Sequence, residues 1–462
     1  MSQEKYLTIE NIVEITSGKL IYGNKNIICK NFSRDTRTLN KDDIYLGIKG
    51  ENFNGSNFYL DALKKGAKAC ILQDIEIDLE KVKMYSDIAI VKVSDVTLSL
   101  GQIASYKRGL YNIPVIAITG SVGKTSTKDI VASVLSQKYK VLKTQGNLNN
   151  QIGLPLTILG LTDEDALVVE MGMGASGEIR TLSNIAKPDI AIITNIGTSH
   201  IGNLGSRENI LKAKLEILEG LKENGKLIIN NDNDLLHKWY LEHNDTNIVT
   251  FGISENSMFQ ANNIILQENS SKYNIVINNQ SYSIDVNIGG KHFIYNSLCA
   301  LSVGSIFDIP FNQIKDGIQN FELTKNRMEI LKKENYTIIN DCYNASFDSM
   351  KASLEYLSSQ KAKRKIAVLG DMLELGDFSK TLHENVGKEV AKNKIDVLIT
   401  VGNESKYIAE SAILYGINKN NVFCFNNNQD AIDKINIIKS NDDIILVKAS
   451  NGMNFKQIVN LI

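Results

Sequence analysis

At 462 residues, 43% hydrophobic and 22% charged, the chain has the length of about three domains and enough apolar side chains to fill their cores. A formal net charge of −1 excludes a whole-surface electrostatic footprint for nucleic acid or anionic membrane, though not a local basic groove. Five cysteines (Cys29, Cys70, Cys299, Cys342, Cys424) without a CxxC argue against a disulfide framework or structural zinc and fit a reducing cytoplasm; neither a signal peptide nor an apolar run of spanning length is evident.

Residues 1–97 mix short strands with helical segments and read as a first domain. DIYLGIKG (43–50) reads as a strand with a glycine stop, and FYLDALKKGAKACILQ (58–73) as a helix, a cap near Gly66 and a second strand. A helix around Leu98–Leu110 leads into a second domain, 98–314. Its strands are expected at 115–119, 166–171, 190–195 and 226–230, with helical patterns between, which predicts a mostly parallel sheet covered by helices. Between 258 and 290 the period changes. Ile275 and Ile277, then Tyr282, Ile284, Val286 and Ile288, alternate around NNQ as in an antiparallel hairpin, and a helix follows at about 293–307. Over 315–462 the α/β rhythm resumes with TIIND (337–341), KIAVLGD (365–371), DVLITVG (396–402), NVFCF (421–425) and DIILVKAS (443–450). This third domain is Rossmann-like but has no G-x-G-x-x-G, so its fold alone implies no dinucleotide.

The stretch IAITGSVGKTSTKDI (116–130) departs from a Walker A loop, because Ile118 stands where the first glycine belongs. Its physics is nonetheless that of a phosphate loop. A β-branched strand ends at Thr119, Gly120 and Gly123 allow a tight turn, and a helix opens near Lys124, presenting N–H groups and a positive dipole end to an anion. Lys124 adds a point charge for β/γ phosphates, and the Thr125 hydroxyl suits Mg²⁺. A bare GxxGK is as often a plain βα turn; the strand, Thr125 and helix together favour a nucleotide.

Further polar segments stand where strands should end. TQGNLNNQIGLP (144–155) carries Asn149 and Asn150, LVVEMGMG (167–174) carries Glu170, and IITNIGTSHIGNLGS (192–206) carries Asn195 and His200. Ligands of open α/β sheets bind at the carboxyl ends of strands, so Lys124, Glu170 and His200 should converge on one crevice. A carboxylate and an imidazole beside a triphosphate are sensible Mg²⁺ ligands. Singly, a strand-end Glu is usually a solvated residue or cap, and a lone His a satisfied loop residue. RENILKAKLEILEGL (207–221) reads as one amphipathic helix with Ile210, Ala213, Ile217 and Leu221 on its apolar stripe; Lys214 lies beside the stripe and alone reads as a snorkelling lysine.

TGSVGKTSTKD, NLNNQIGLP, VVEMGMGASGEI, NIGTSHIGNLGSRENILKAKLEI, NDCYNASFDSM and LGDMLELG, in this order, resemble the Mur ligases of peptidoglycan synthesis over nearly the whole chain. EMGMGASGEI and LGDMLELG discriminate most. The family's loop is the shorter TGxxGKT[ST], so Ile118 is no defect. The resemblance implies an α/β fold of three domains: a small α/β N-terminal domain, a central mostly parallel P-loop ATPase sheet with an antiparallel addition, and a Rossmann-like C-terminal domain. It implies ATP and Mg²⁺ as cofactors, with UDP-N-acetylmuramoyl-tripeptide and D-alanyl-D-alanine as partners. It also implies a cytoplasmic monomer without a nucleic-acid partner or membrane insertion, making an amide through an acyl phosphate.

Residue by residue, the resemblance implies Thr36, Arg37 and Lys49 at the UDP-muramoyl substrate. It implies Gly120, Ser121, Val122, Gly123, Lys124, Thr125 and Ser126 at the phosphates. Asn296, Arg327, Asp341, Tyr343 and Asn344 are implied at the nucleotide, and Thr125, Glu170 and His200 at Mg²⁺. Lys214 is implied as a carbamylated lysine. Asn149 and Asn150 are candidates to orient phosphate or substrate. Asn54, Ser56, Asn326, the segment NASFDS (344–349), Asn451 and Lys456 depart from the family pattern. Two other readings stand beside this one: another Mur-type or folylpolyglutamate-type ligase, and a guanine-nucleotide switch suggested by NKID (393–396). The NKID match ends a helical pattern instead of following a strand.

Overall fold

The computed structural model describes residues 6–243, 245–277 and 279–462. The apolar run Val115–Thr119 is wholly buried and forms an inner strand of a seven-stranded parallel sheet. In order the strands are Phe259–Gln260, Ile248–Gly252, Lys226–Asn230, Ile190–Ile193, Val115–Thr119, Ala166–Glu170 and Val141–Lys143. Strands buried on both faces need apolar side chains at every position, so VIAIT and IAII do not alternate. Register then fixes the site. Glu170 pairs across to Ile118 and Ile193 to Thr119, so both flanking strands end beside Gly120.

The phosphate-loop helix, Lys124–Leu135, packs against the long helix Lys291–Ile306 and against Phe311–Gln319, where Ser133 Oγ donates to Gly317 O at 2.7 Å. The antiparallel addition has three strands, Asn262–Leu266, Ser271–Ile277 and Gln280–Val286, with Ile275 opposite Tyr282. The hairpin expected from the alternation is present; its third strand was not legible, because that strand is an edge with mostly exposed side chains. Asn278, within the NNQ turn, lies outside the described residues.

The N-terminal domain has a five-stranded sheet in the order Lys19–Gly23, Ala89–Lys92, Ala69–Leu72, Ile44–Leu46, Phe32–Ser33, with the first pair antiparallel and the rest parallel. The C-terminal domain has six strands: Glu329–Lys332, antiparallel, then Tyr336–Asn340, Asp443–Lys448, Arg364–Gly370, Val397–Val401 and Val422–Phe425, all parallel. The edge strand Glu329–Lys332 is another element the pattern did not announce, as are Val141–Lys143, Ile248–Gly252 and Phe259–Gln260 of the central sheet. Helices Val96–Gly109 and Phe311–Gln319 span the positions 97/98 and 314/315 at which the sequence divides the domains.

The segment 207–221 is not one α-helix. It is α-helical over Arg207–Leu215 and tightens to a 3₁₀ turn over Glu216–Gly220. Tertiary contacts decide this. The buried Glu216 carboxylate accepts from the Gly177 and Arg180 N–H groups and from Ser176 Oγ, covering the start of helix Glu178–Ala186. Gly220 presses on the Ser183 backbone, where a Cβ would come within 2.1 Å of the carbonyl oxygen.

Candidate active site

Gly123 precedes the loop helix at φ 84°, in the left-handed region that a Cβ disfavours. The loop is fastened from the next strand over. Asn195 Oδ1 accepts from Val122 N at 3.0 Å, Thr194 Oγ1 donates to Val122 O at 2.7 Å, and Ser199 Oγ donates to Ser121 O at 3.1 Å. Asn195 is thus a positioning residue of the loop; its signal in the sequence was a polar side chain just past a buried strand.

Lys124 folds back over the loop, Nζ donating to Gly120 O at 2.7 Å. Burial lowers its pKa, Glu170 opposes this, and Arg327 reinforces it. Thr125 Oγ1 donates to Glu170 Oε2 at 2.9 Å and accepts from Arg327 Nη2 at 3.2 Å. The other Glu170 oxygen accepts from Asn149 Nδ2 at 2.8 Å, and its backbone N–H donates to Thr144 Oγ1. Asn150 lines the same cleft and also acts on the backbone. Its Oδ1 accepts from the Ile152 and Gly153 N–H groups and opens helix Gly153–Leu159.

His200 sits at φ 63°, in the left-handed region that His enters more readily than most residues. Its Nδ1 lies 2.6 Å from Glu374 Oε2 of the third domain. Burial and the Lys124 charge lower its pKa, Glu374 opposing and Lys214 adding to the fall. Lys214 is 1% exposed, and its side-chain nitrogen makes no hydrogen bond or ion pair among the described residues. Burial, with Lys124 nearby, holds its ammonium well below the usual lysine range. A snorkelling lysine would carry its amine out to bulk solvent along an exposed stem; this side chain is buried.

Two cavities adjoin across the loop and share Val122, Gly123, Thr125, Arg327 and Ser349. One is also lined by Ser126, Asn296, Phe251, His292, Asp341 and Lys448, the other by Asn149, Asn150, Glu170, His200, Tyr343, Asn344 and Glu374. The third domain thereby roofs the central sheet. Arg327 lies 3.8 Å over the Tyr343 ring, and its Nε is buried without a partner, a donor left over for a ligand. Asn296 Oδ1 accepts from Thr127 Oγ1, and the Asp341 carboxylate is held by Lys448 Nζ at 2.5 Å and Ser353 Oγ at 2.7 Å. Sequence reasoning did not find Lys448, Glu374 or Asp348, which accepts from Thr198 N–H at 2.9 Å; each acts across a distance no local pattern reveals.

Thr36, Arg37 and Lys49 do not line either cavity. Arg37 pairs with Asp35, Lys49 with Asp74 at 3.0 Å, and Thr36 offers its carbonyl to Lys65, all on the N-terminal domain. The departures from the family pattern have local work. Asn54 caps the turn Gly55–Phe58, and buried Ser56 donates to Gly47 O and accepts from Gln73 N–H. Asn326 takes φ 62°, a left-handed conformation that Asn tolerates better than most residues. Ser346 caps helix Phe347–Ser359 in a reciprocal pair with Ser349. Asn451 begins a 3₁₀ turn and Lys456 a short helix. NKID follows helix Ser379–Lys392 as its C-cap and turn, where Asn393 Nδ2 donates back to Glu389 O.

A parallel sheet with a phosphate loop, roofed by a second α/β sheet and carrying a third, defines the class of three-domain ATP-dependent ligases. The chain belongs to the Mur ligase family: residues 118–304 match the Mur ligase middle domain and 326–451 the Mur ligase glutamate ligase domain. It is 37% identical to the UDP-N-acetylmuramoyl-tripeptide–D-alanyl-D-alanine ligase of Bacillus subtilis (strain 168), covering 98% of this chain and 97% of that one. It is 30% identical to the Escherichia coli (strain K12) ligase of the same name, with the same coverage. MurF from Acinetobacter baumannii superposes with a TM-score of 0.89 at 28% identity, over 99% of this chain and 98% of that one. MurF from Thermotoga maritima, solved with ADP, gives 0.81 at 26%, over 94% and 96%.

Proposed function

We propose that the chain joins D-alanyl-D-alanine to UDP-N-acetylmuramoyl-tripeptide with ATP, as a monomer in the cytoplasm, in the building of peptidoglycan precursors. The relatives named for this reaction match from end to end. The observation that carries the chemistry is the Lys124–Thr125–Glu170 cluster under Arg327. No helix among the described residues is long and apolar enough to cross a membrane.

An amide is made from a carboxylate in two steps. A carboxylate oxygen of the tripeptide attacks the γ-phosphorus and ADP leaves. The dipeptide amine then attacks the acyl carbon, phosphate leaves, and the nitrogen loses a proton. No protein nucleophile is needed; positioning and charge neutralisation dominate. Gly120–Ser126 would cradle the phosphates, and Lys124 would balance charge on the transferring group. Asn296, Arg327, Asp341, Tyr343 and Asn344 would hold the nucleotide, and Asn149 and Asn150, both on the cleft, would orient phosphate or substrate. Thr36, Arg37 and Lys49 would take the UDP-sugar end, away from the reacting atoms.

The donor set fits Mg²⁺. A hydroxyl and a carboxylate oxygen converge at Thr125 and Glu170, with His200 on the same cleft. Among the described residues no group of three His, Cys, Asp or Glu forms a full cage; Mg²⁺ beside nucleotide is usually held by one or two carboxylates together with phosphates and water. Bound there, Mg²⁺ would supply charge neutralisation at the phosphates. Lys214, carbamylated, would add an oxygen ligand that an ammonium cannot. Burial favours the neutral amine that reacts with CO₂.

The test is phosphate release from ATP with UDP-muramoyl-tripeptide, with and without D-Ala-D-Ala. Equal activity with a single D-amino acid, or none with the dipeptide, would sink the substrate assignment.

A further inference from the structure

The motif LGDMLELG is not used by the chemistry above, yet the fold holds it with care. Strand Arg364–Gly370 ends in it, and Asp371 accepts from the Asn403, Glu404 and Ser405 N–H groups. Met372 N–H donates to Nε2 of the buried His383, and Leu373 N–H to Ser450 Oγ. This anchored loop reaches the central domain at its tip. Glu374 Oε2 meets His200 Nδ1 at 2.6 Å, and Glu374 O accepts from Gly202 N–H at 3.3 Å. Gly202 has no room for a side chain there: a Cβ would lie 2.7 Å from Glu374 O and 2.6 Å from Gly376 N.

The segment that receives Glu374 is the one that fastens the phosphate loop. Between Thr194 and His200 it bonds Val122 and Ser121 on one side, and on the other it is gripped by Asp348 and Glu374 of the third domain. A carboxylate on one imidazole nitrogen sets the tautomer and ring orientation and leaves the other nitrogen's lone pair for the cleft.

We infer that Glu374 is a positioning residue: supplied by the third domain, it orients His200 and so completes the central domain's catalytic cleft. The inference rests on the ligase reading for its kinetic consequence, but not for the contact itself. With Glu374 in place, His200 carries its proton on Nδ1 and presents Nε2. Without it, the ring is free to exchange tautomers and to turn, although the phosphate loop remains.

Two measurements test this. In the metal-free, nucleotide-free protein, ¹⁵N-histidine spectra report the tautomer of each imidazole, with His200 assigned from its loss in His200→Gln. Wild type should show the Nδ1–H form, Glu374→Gln should retain it through the amide oxygen, and Glu374→Ala should show a tautomer mixture. In turnover, Glu374→Ala should need about 10–100-fold more Mg²⁺ or lose that factor in kcat, as outer partners of metal-binding histidines do, with Glu374→Gln between it and wild type. An unchanged tautomer in Glu374→Ala, or a changed tautomer with wild-type kcat and Mg²⁺ dependence, overturns the inference. If wild type shows no dipeptide-dependent phosphate release, the ligase reading fails, and the spectra alone decide whether Glu374 orients His200.

Discussion

Arg327 crosses from the third domain to the phosphate loop and donates from Nη2 to Thr125 Oγ1 at 3.2 Å, its guanidinium stacked on Tyr343. A lysine keeps the charge but neither the planar stack nor the fork of donors. Arg327→Lys should therefore raise KM for ATP about tenfold while leaving the fold intact, since a stacked, charge-assisted contact is worth about 1–2 kcal/mol. A KM within twofold of wild type would remove Arg327 from the nucleotide.

Lys124→Ala should abolish measurable turnover. Losing one preorganised charge contact in a dry site costs on the order of 10²–10³ in kcat. A variant near wild-type rate would mean that the loop serves structure only.

Glu170→Gln should keep the hydrogen bond from Thr125 but lose the charge. The protein should stay folded, with the Mg²⁺ needed for half-maximal rate rising at least about tenfold, the lower limit expected even for outer partners of a metal site. A superimposable Mg²⁺ titration would take Glu170 out of the metal site.

Lys214→Ala should be nearly inactive and Lys212→Ala close to wild type, because Lys214 is buried near Lys124 whereas Lys212 is exposed two residues away. Intact mass in bicarbonate should show one added CO₂ that Lys214→Ala lacks. Acid must be avoided, since a carbamate is lost there. Full activity of Lys214→Ala would defeat the idea.

The third domain should lose stability in mild acid through His383. Burial lowers its pKa below the ordinary 6.5, the hydrogen bond to Ser379 O only partly opposing. The unfolded chain thus binds a proton that the native imidazole refuses. Its contribution is fully present above about pH 6.5 and falls as pH drops below that toward the folded pKa. Urea midpoints should decline from pH 7.5 to 5.5 in wild type, with a shallower slope in His383→Gln; identical slopes would assign the acid sensitivity to other groups.

The sequence by itself determined the elements with strong periods and the residues bound to chain-local geometry. VIAIT, two glycines and a helix beginning at Lys124 specify a strand, a tight turn and a helix N-terminus without reference to anything distant. Glu170 and His200 could be placed near it because strands of a parallel sheet end on one edge. Tertiary structure decided what depends on contacts between distant segments. The helix read over 207–221 breaks at Glu216 because that carboxylate covers another helix's start. The edge strands Asn262–Leu266 and Glu329–Lys332 carry little buried apolar surface, so no alternation announced them. The burial of Lys214, ambiguous on a helical wheel, is set by what packs over the stripe. The meeting of Glu374 with His200, 174 residues apart, exists because a second sheet closes over the first. Hydrogen bonds across that distance leave no period in the chain, and folding alone creates them.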